Sequence, residues 1–171
     1  MLLTAALFVP LAGAVLVAAV PASRDVLVRW LALVASLVAL ALAVAVAVRF
    51  RPGEPGFQLG VAADWVPAFG VRYRVGVDGV SLPLVLLATV LTPLAIVGAW
   101  RSTDRPRGYL ALLLVLETAM LGVFVSLDLF LFYVFWEAVL VPTYFLIGYW
   151  AGSGGSTRRS SSSSTPCSAA C

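Results

Sequence analysis

The chain has 171 residues, of which 62% are hydrophobic and 11% charged, with a formal net charge of +3 and a mean hydropathy of +1.05. Soluble domains are about half apolar and a quarter charged, so this composition excludes an ordinary soluble fold and marks a polytopic membrane protein. There is no His, and the two cysteines, Cys167 and Cys171, sit in the C-terminal tail, so no metal, haem, iron–sulfur or disulfide framework is expected on this chain.

Five stretches approach or exceed the ~20 apolar residues that cross a hydrocarbon core: Leu2–Val20, Val26–Val48, Val80–Trp100, Tyr109–Leu127 and Leu129–Trp150. Lipid offers no partner to a free peptide group, so each is expected to be helical. The expected fold is all-α and polytopic: a transmembrane region over residues 1–152 with helices at about 2–20, 26–48, 80–100, 109–127 and 129–150. A disordered, Ser-rich tail over 153–171 follows. Trp30, Trp100, Tyr109, Tyr149 and Trp150 fall near span ends, where amphipathic rings favour the interface. The first stretch has the alternative of a signal peptide, with small residues at Val20-Pro21-Ala22-Ser23. No cationic segment precedes it and its run exceeds the usual 7–15 apolar residues, so it is read as a retained helix.

All eleven basic residues are Arg. With the N-terminus outside, Arg24, Arg29, Arg101, Arg105 and Arg107 lie on the inner side and Arg49, Arg51, Arg72 and Arg74 on the outer, with Arg158 and Arg159 in the tail. That small excess favours an external N-terminus. The outer loop, Arg49 to Gly79, opens on the turn-forming run Arg51-Pro52-Gly53-Glu54-Pro55-Gly56. It then alternates apolar and polar side chains from Gly70 to Gly79, which predicts a short extended or hairpin segment on the outer surface.

Two carboxylates interrupt the apolar spans, Glu117 in the fourth and Glu137 in the fifth. A charge at mid-bilayer costs about 2.5–3.5 kcal/mol on insertion scales, so such a residue points to an ion or proton path; the plain alternative is a neutral acid hydrogen-bonded within a bundle. The fourth and fifth spans are joined only around Leu127 and Asp128, a tight antiparallel turn. Each acid stands about ten residues from that turn, so at 1.5 Å per residue both lie ~15 Å from the same face, with their relative facing left open. For Glu117, a bond to Thr118 or to a neighbouring helix is the competing reading. Pro142, five residues after Glu137, removes a backbone donor and clashes with the Ala138 carbonyl, so a kink is expected there.

The string DLFLFYVFWEAVLVPTYFLIGYW, residues 128–150, closely resembles the fifth transmembrane helix of the subunit M family of proton-translocating NADH:quinone oxidoreductases, the bacterial form of respiratory complex I. Phe135-Trp136-Glu137 followed by Pro142-x-Tyr144-Phe145-Leu146-Ile147-Gly148 carries that likeness. Gly76-Val77-Asp78-Gly79-Val80-Ser81-Leu82 resembles the family's entry to the third helix, and Trp65-Val66-Pro67-x-Phe69-Gly70 its outer loop. The resemblance implies a multi-pass subunit of the bacterial cell membrane, with Glu137 as the carboxylate of an antiporter-like proton channel; Glu117 is a candidate second proton-path acid by its matching depth. The resemblance also implies a lysine partner on a later helix, which this lysine-free chain does not supply. Its partners would be the lipid bilayer and other membrane subunits, with no nucleic acid. NADH, flavin, iron–sulfur clusters and quinone would belong to those other subunits, and no cofactor to this one. Two alternatives remain: a cation/proton antiporter subunit, which shares the glutamate, and a non-functional membrane fragment.

The tail, SGGSTRRSSSSSTPCSAAC, departs from the family. It can be back-translated so that the frame one base earlier reads RRKYAAVKFFLYTLLGSV, which resembles the family's next segment. The expectation is therefore a frameshift near Ser153, with the gene ending TGC TGA and the shifted frame open beyond it.

Overall fold

The computed structural model describes residues 2–21, 24–51, 56–66, 71–100 and 106–151. The tail, the turn run at 52–55, the outer-loop motif at 67–70 and the inner arginines 101 and 105 lie outside the described residues. Five long apolar helices are present, as the composition requires: α1 (Leu2–Ala19), α2 (Asp25–Arg49), α3 (Ser81–Gly98), α4 (Pro106–Val125) and α5 (Leu129–Phe145). The last runs on into a π-helical turn, Leu146–Ala151. Between α2 and α3 an antiparallel pair, β1 (Gln58–Val66) and β2 (Val71–Val77), forms the expected hairpin.

The α-helical spans differ from those expected by up to five residues, the most at the end of α5, where Phe145 gives way to the π turn. The fourth helix is described from Pro106, ahead of the expected Tyr109, and a proline is compatible with the first turn of a helix, where its missing N–H loses no bond. It stops at Val125 because the next residues pair with the hairpin: Ser126 bridges Val75, and the Leu127 N–H donates to the Arg74 carbonyl at 2.9 Å. Asp128 then opens α5, its Oδ1 accepting from the Phe130 and Leu131 amides at 3.0 and 3.3 Å.

Two apolar layers hold the helices together. One gathers Leu3 and Leu7 of α1, Val46 of α2, Val75 and Val77 of β2, Val85 of α3, Val125 of α4 and Leu131 of α5. The start of α1, the hairpin and the α4–α5 turn therefore share one face of the molecule. The other layer joins Ala14 and Val17, Val28 and Ala32, Ile96, and Leu110 with Leu114 at the opposite end. There Trp30 and Trp100 meet edge to face at 5.7 Å, and the Arg107 guanidinium donates to the Ala18 carbonyl at the end of α1. Helix α4 is central, touching α1, α2, α3 and α5, whereas α5 packs on α4 and β2.

Close approach depends on small residues, as expected where lipid supplies no hydrophobic drive. A Cβ placed on Gly13 of α1 would stand 2.4 Å from the Ala35 Cβ of α2. One on Gly122 of α4 would stand 2.2–2.6 Å from three ring atoms of Phe135 on α5.

The entry to α3 is a reciprocal cap. The Ser81 N–H donates to Asp78 Oδ1 at 2.7 Å, and the Asp78 N–H donates to Ser81 Oγ at 3.0 Å. The Ser81 backbone bond, aided by its hydroxyl, holds the Asp78 carboxyl below its ordinary value. A group depressed in the folded state contributes stability above its unfolded pKa, near 3.9, and loses it as pH falls through the folded value. Hydrogen-exchange protection of the first-turn amides of α3 is thus expected to fall below about pH 4. Asp78→Asn keeps an acceptor but cannot titrate, so in that variant the fall should vanish; its persistence would refute the cap as its origin.

Candidate proton-carrying carboxylates

The depth expected for the two acids is reproduced. Glu117 precedes the end of α4 at Val125 by as many residues as Glu137 follows the start of α5 at Leu129. At 1.5 Å per residue each sits about 12 Å below the face that carries the hairpin. Both are therefore deep in the apolar slab.

Their surroundings differ completely. Glu117 is 0% exposed, on the α4 stripe of Leu110, Leu114, Thr118, Leu121 and Val125. Neither of its carboxyl oxygens has a hydrogen-bond partner. Thr118, the competing partner on sequence grounds, instead donates to the Leu114 carbonyl at 3.0 Å. The hydroxyls of buried Ser36, Thr89 and Thr92 are committed in the same way: Ser36 to Leu33, Thr89 to Val85 and Leu86, and Thr92 to Ala88, each on its own helix. A buried polar group without a partner costs free energy and is a feature to be explained by function or by hydration.

Glu137 lies on the open side of α5 and is exposed. The side of α5 that meets α4 is marked by buried Leu131 and Pro142 and by Phe135 against Gly122. A residue two positions beyond Phe135 is turned by about 200° from it, and Glu137 accordingly faces away from α4. The two carboxylates share a depth but not a face. On the open side Glu137 is accompanied by Tyr133, one turn earlier and likewise exposed. Sequence reasoning does not single out Tyr133; its i, i+4 spacing from Glu137 is the signal that marks it.

Pro142 is buried within α5. Regular α geometry continues through it to Phe145 and then widens into the π turn, with Thr143 Oγ1 donating to the Val139 carbonyl at 2.7 Å. Pro142 has no N–H, so the Ala138 carbonyl, one residue after Glu137, lacks its usual helical donor.

Residues 126–165, which include Glu137 and Pro142, match the family described as the NADH:quinone oxidoreductase/Mrp antiporter transmembrane region. Over 151 residues the chain is 43% identical to NAD(P)H-quinone oxidoreductase chain 4 3 of Picosynechococcus, covering 88% of this chain and 28% of that protein. It is 38% identical over 180 residues to NADH-quinone oxidoreductase subunit M of Mycobacterium tuberculosis, covering 88% and 32%. With subunit M of Rhodobacter capsulatus the identity is 42% over 156 residues, covering 88% and 30%. The chain thus spans less than a third of the length of these curated relatives. Among solved structures it resembles a chain of respiratory complex I from Thermus thermophilus with bound NADH, with a TM-score of 0.71 and 27% identity over 88% of this chain and 29% of that one. A chain of the Mrp complex from Dietzia shares the fold, with a TM-score of 0.71 at 22% identity, covering 91% and 17%. This chain is a multi-pass membrane protein that belongs to the antiporter-like subunit family of the NADH:quinone oxidoreductases, subunit M or chain 4 among its relatives.

Proposed function

We propose that this chain contributes to proton translocation as part of an antiporter-like membrane subunit of an NADH:quinone oxidoreductase. The observation that carries this reading is Glu137, a carboxylate on the unpartnered side of a membrane-spanning helix, within the residues that match the family. Such a group can take a proton from one side of the bilayer and release it to the other when a cation approaches and withdraws. Glu117, enclosed by the bundle, serves as a second proton-holding group at the same depth. Pro142 leaves a carbonyl beside Glu137 free to receive a hydrogen bond, from water or from a neighbouring helix. Electron transfer from NADH to quinone, with its flavin and iron–sulfur clusters, is assigned to other subunits, and the open side of α5 to contact with further membrane helices. We place the chain in the bacterial cell membrane with its N-terminus and hairpin outside. The antiporter alternative is less favoured, because identity with the Mrp chain is lower than with the complex I chain and supports the fold alone.

A chimera tests this directly. Residues 1–152 joined to the remaining portion of a relative's subunit M are expected to restore NADH-driven proton pumping to membranes lacking that subunit. A chimera that assembles at normal levels but leaves pumping absent would overturn the proposal.

A further inference from the structure

We infer that the middle of the bundle is a water-binding site built around Glu117, in which ordered water joins its carboxyl to polar groups of α3 and α2. This rests on the reading of Glu117 as a proton-holding group and adds the partner with which it exchanges its proton. Among the described residues, the buried polar side chains of the bundle are Ser36, Thr89, Thr92, Glu117 and Thr118. All of them fall between the two apolar layers: Ser36 between Ala43 and Ala32 of α2, Thr89 and Thr92 between Ala88 and Ile96 of α3, and Glu117 and Thr118 between Leu121 and Leu114 of α4. Pro10 of α1 and Pro93 of α3, both buried, lie in the same interval.

These groups face one another at one level. Thr89 follows the start of α3 at Ser81 by as many residues as Glu117 precedes the end of α4 at Val125, so both lie about 12 Å below the hairpin face. Phe124, two turns beyond Glu117 on the same face of α4, shares a cleft with Ser81 and Leu84 of α3, so this face of α4 is turned toward α3. Thr89 and Thr92 belong to the buried stripe of α3, and Ser36 to that of α2. Their hydroxyl protons are spent on carbonyls of their own helices, which leaves their lone pairs to accept. Pro10 and Pro93 have no N–H, so the Ala6 and Thr89 carbonyls lack their usual helical donor. The buried residues of α1, α2 and α3 include no basic side chain to pair with the acid. With Glu117 ionised, every one of these groups accepts and none donates. Such a set excludes an anion and calls for a guest that brings hydrogens. Water brings two, and its oxygen accepts from the carboxyl when the acid is protonated. Buried water makes about three hydrogen bonds to groups otherwise unsatisfied, and the small side chains Ala39 and Ala88 give it room beside the acid.

Water-edited solid-state NMR tests this on the chain in lipid bilayers, with its glutamates and leucines carbon-13 labelled. The Glu117 carboxyl signal is identified by its loss in Glu117→Gln. Magnetisation from water is expected to reach that carbon at least about three times faster than the side chains of Leu114 and Leu121, one turn to either side. Thr89→Val, which keeps the shape and removes the hydroxyl, is expected to slow the transfer by about half, and Thr89→Ser to leave it unchanged. Thr143→Val, which loses a like bond on α5 outside this layer, is the control and should also leave it unchanged. Transfer to Glu117 no faster than to the two leucines would overturn the inference, and so would equal effects of Thr89→Val and Thr143→Val. If Glu117→Gln leaves pumping by the chimera untouched, the reading of Glu117 as a proton-holding group fails instead, whatever the water signal shows.

Discussion

Glu137→Gln, placed in the pumping-competent chimera, is expected to cut proton pumping by about a hundredfold or more while leaving assembly intact, the scale associated with removing a proton-transfer group. The amide matches the carboxyl in size and keeps an oxygen acceptor, but it cannot hold and release a proton. Because Glu137 projects from the open side of α5 and does not support the α4 contact, its exchange should leave the bundle undisturbed. Proton uptake by reconstituted vesicles, measured beside NADH oxidation, checks the result. Pumping at the unsubstituted rate would remove Glu137 from the mechanism.

Gly122→Ala is expected to destabilise the bundle more than a methyl group added at any other described glycine. The new Cβ would lie 2.2 Å from Phe135 Cδ1, 2.3 Å from its Cγ and 2.6 Å from its Cδ2, distances that real atoms do not occupy. A phenyl ring is rigid, so either Phe135 must leave its rotamer or α5 must move off α4. Overpacking of this kind costs about 1–3 kcal/mol. Phe135→Ala, which removes the ring, should relieve the clash, so the double variant is expected to be more stable than the sum of the single losses. Denaturant titration of the chain in mixed micelles, followed by Trp fluorescence, measures both. Strict additivity of the two substitutions would refute the contact as the cause.

The parts of this structure that can be read from sequence are those fixed by length and polarity. Five apolar runs bounded by arginines and prolines give five helices, and the short connection at Leu127–Asp128 gives the common depth of Glu117 and Glu137. The faces of those acids cannot be read, for a physical reason. Glu137 is flanked by Tyr133, Val134, Phe135, Trp136, Ala138, Val139 and Leu140, so no polar stripe distinguishes the lipid side of α5 from the protein side. The same holds for Glu117 among Leu114, Val115 and Leu116. The seating of Phe135 on Gly122, with Leu131 and Pro142 buried on the same side, decides the rotation of α5, and that is a matter of shape rather than of hydropathy. In the outer loop, β2 is visible in its alternation, whereas β1 includes Ala62 and Ala63, which carry little strand preference by themselves and pair with Arg74 and Tyr73 because β2 offers them an edge.

The central place of α4 bears on how the chain enters the membrane. Helices are delivered in chain order, and α1, α2 and α3, which all touch α4, precede it. When α4 leaves the insertion machinery its neighbours already stand in the bilayer, so Glu117 can pass from an aqueous pore to a protein seat without a stay in bare lipid. The cost of lodging a carboxyl at mid-membrane, about 2.5–3.5 kcal/mol on insertion scales, is then met by docking rather than borne by a lone helix. Helix α5 follows at once on its short turn, and its own acid finds no such shelter in the four helices made before it.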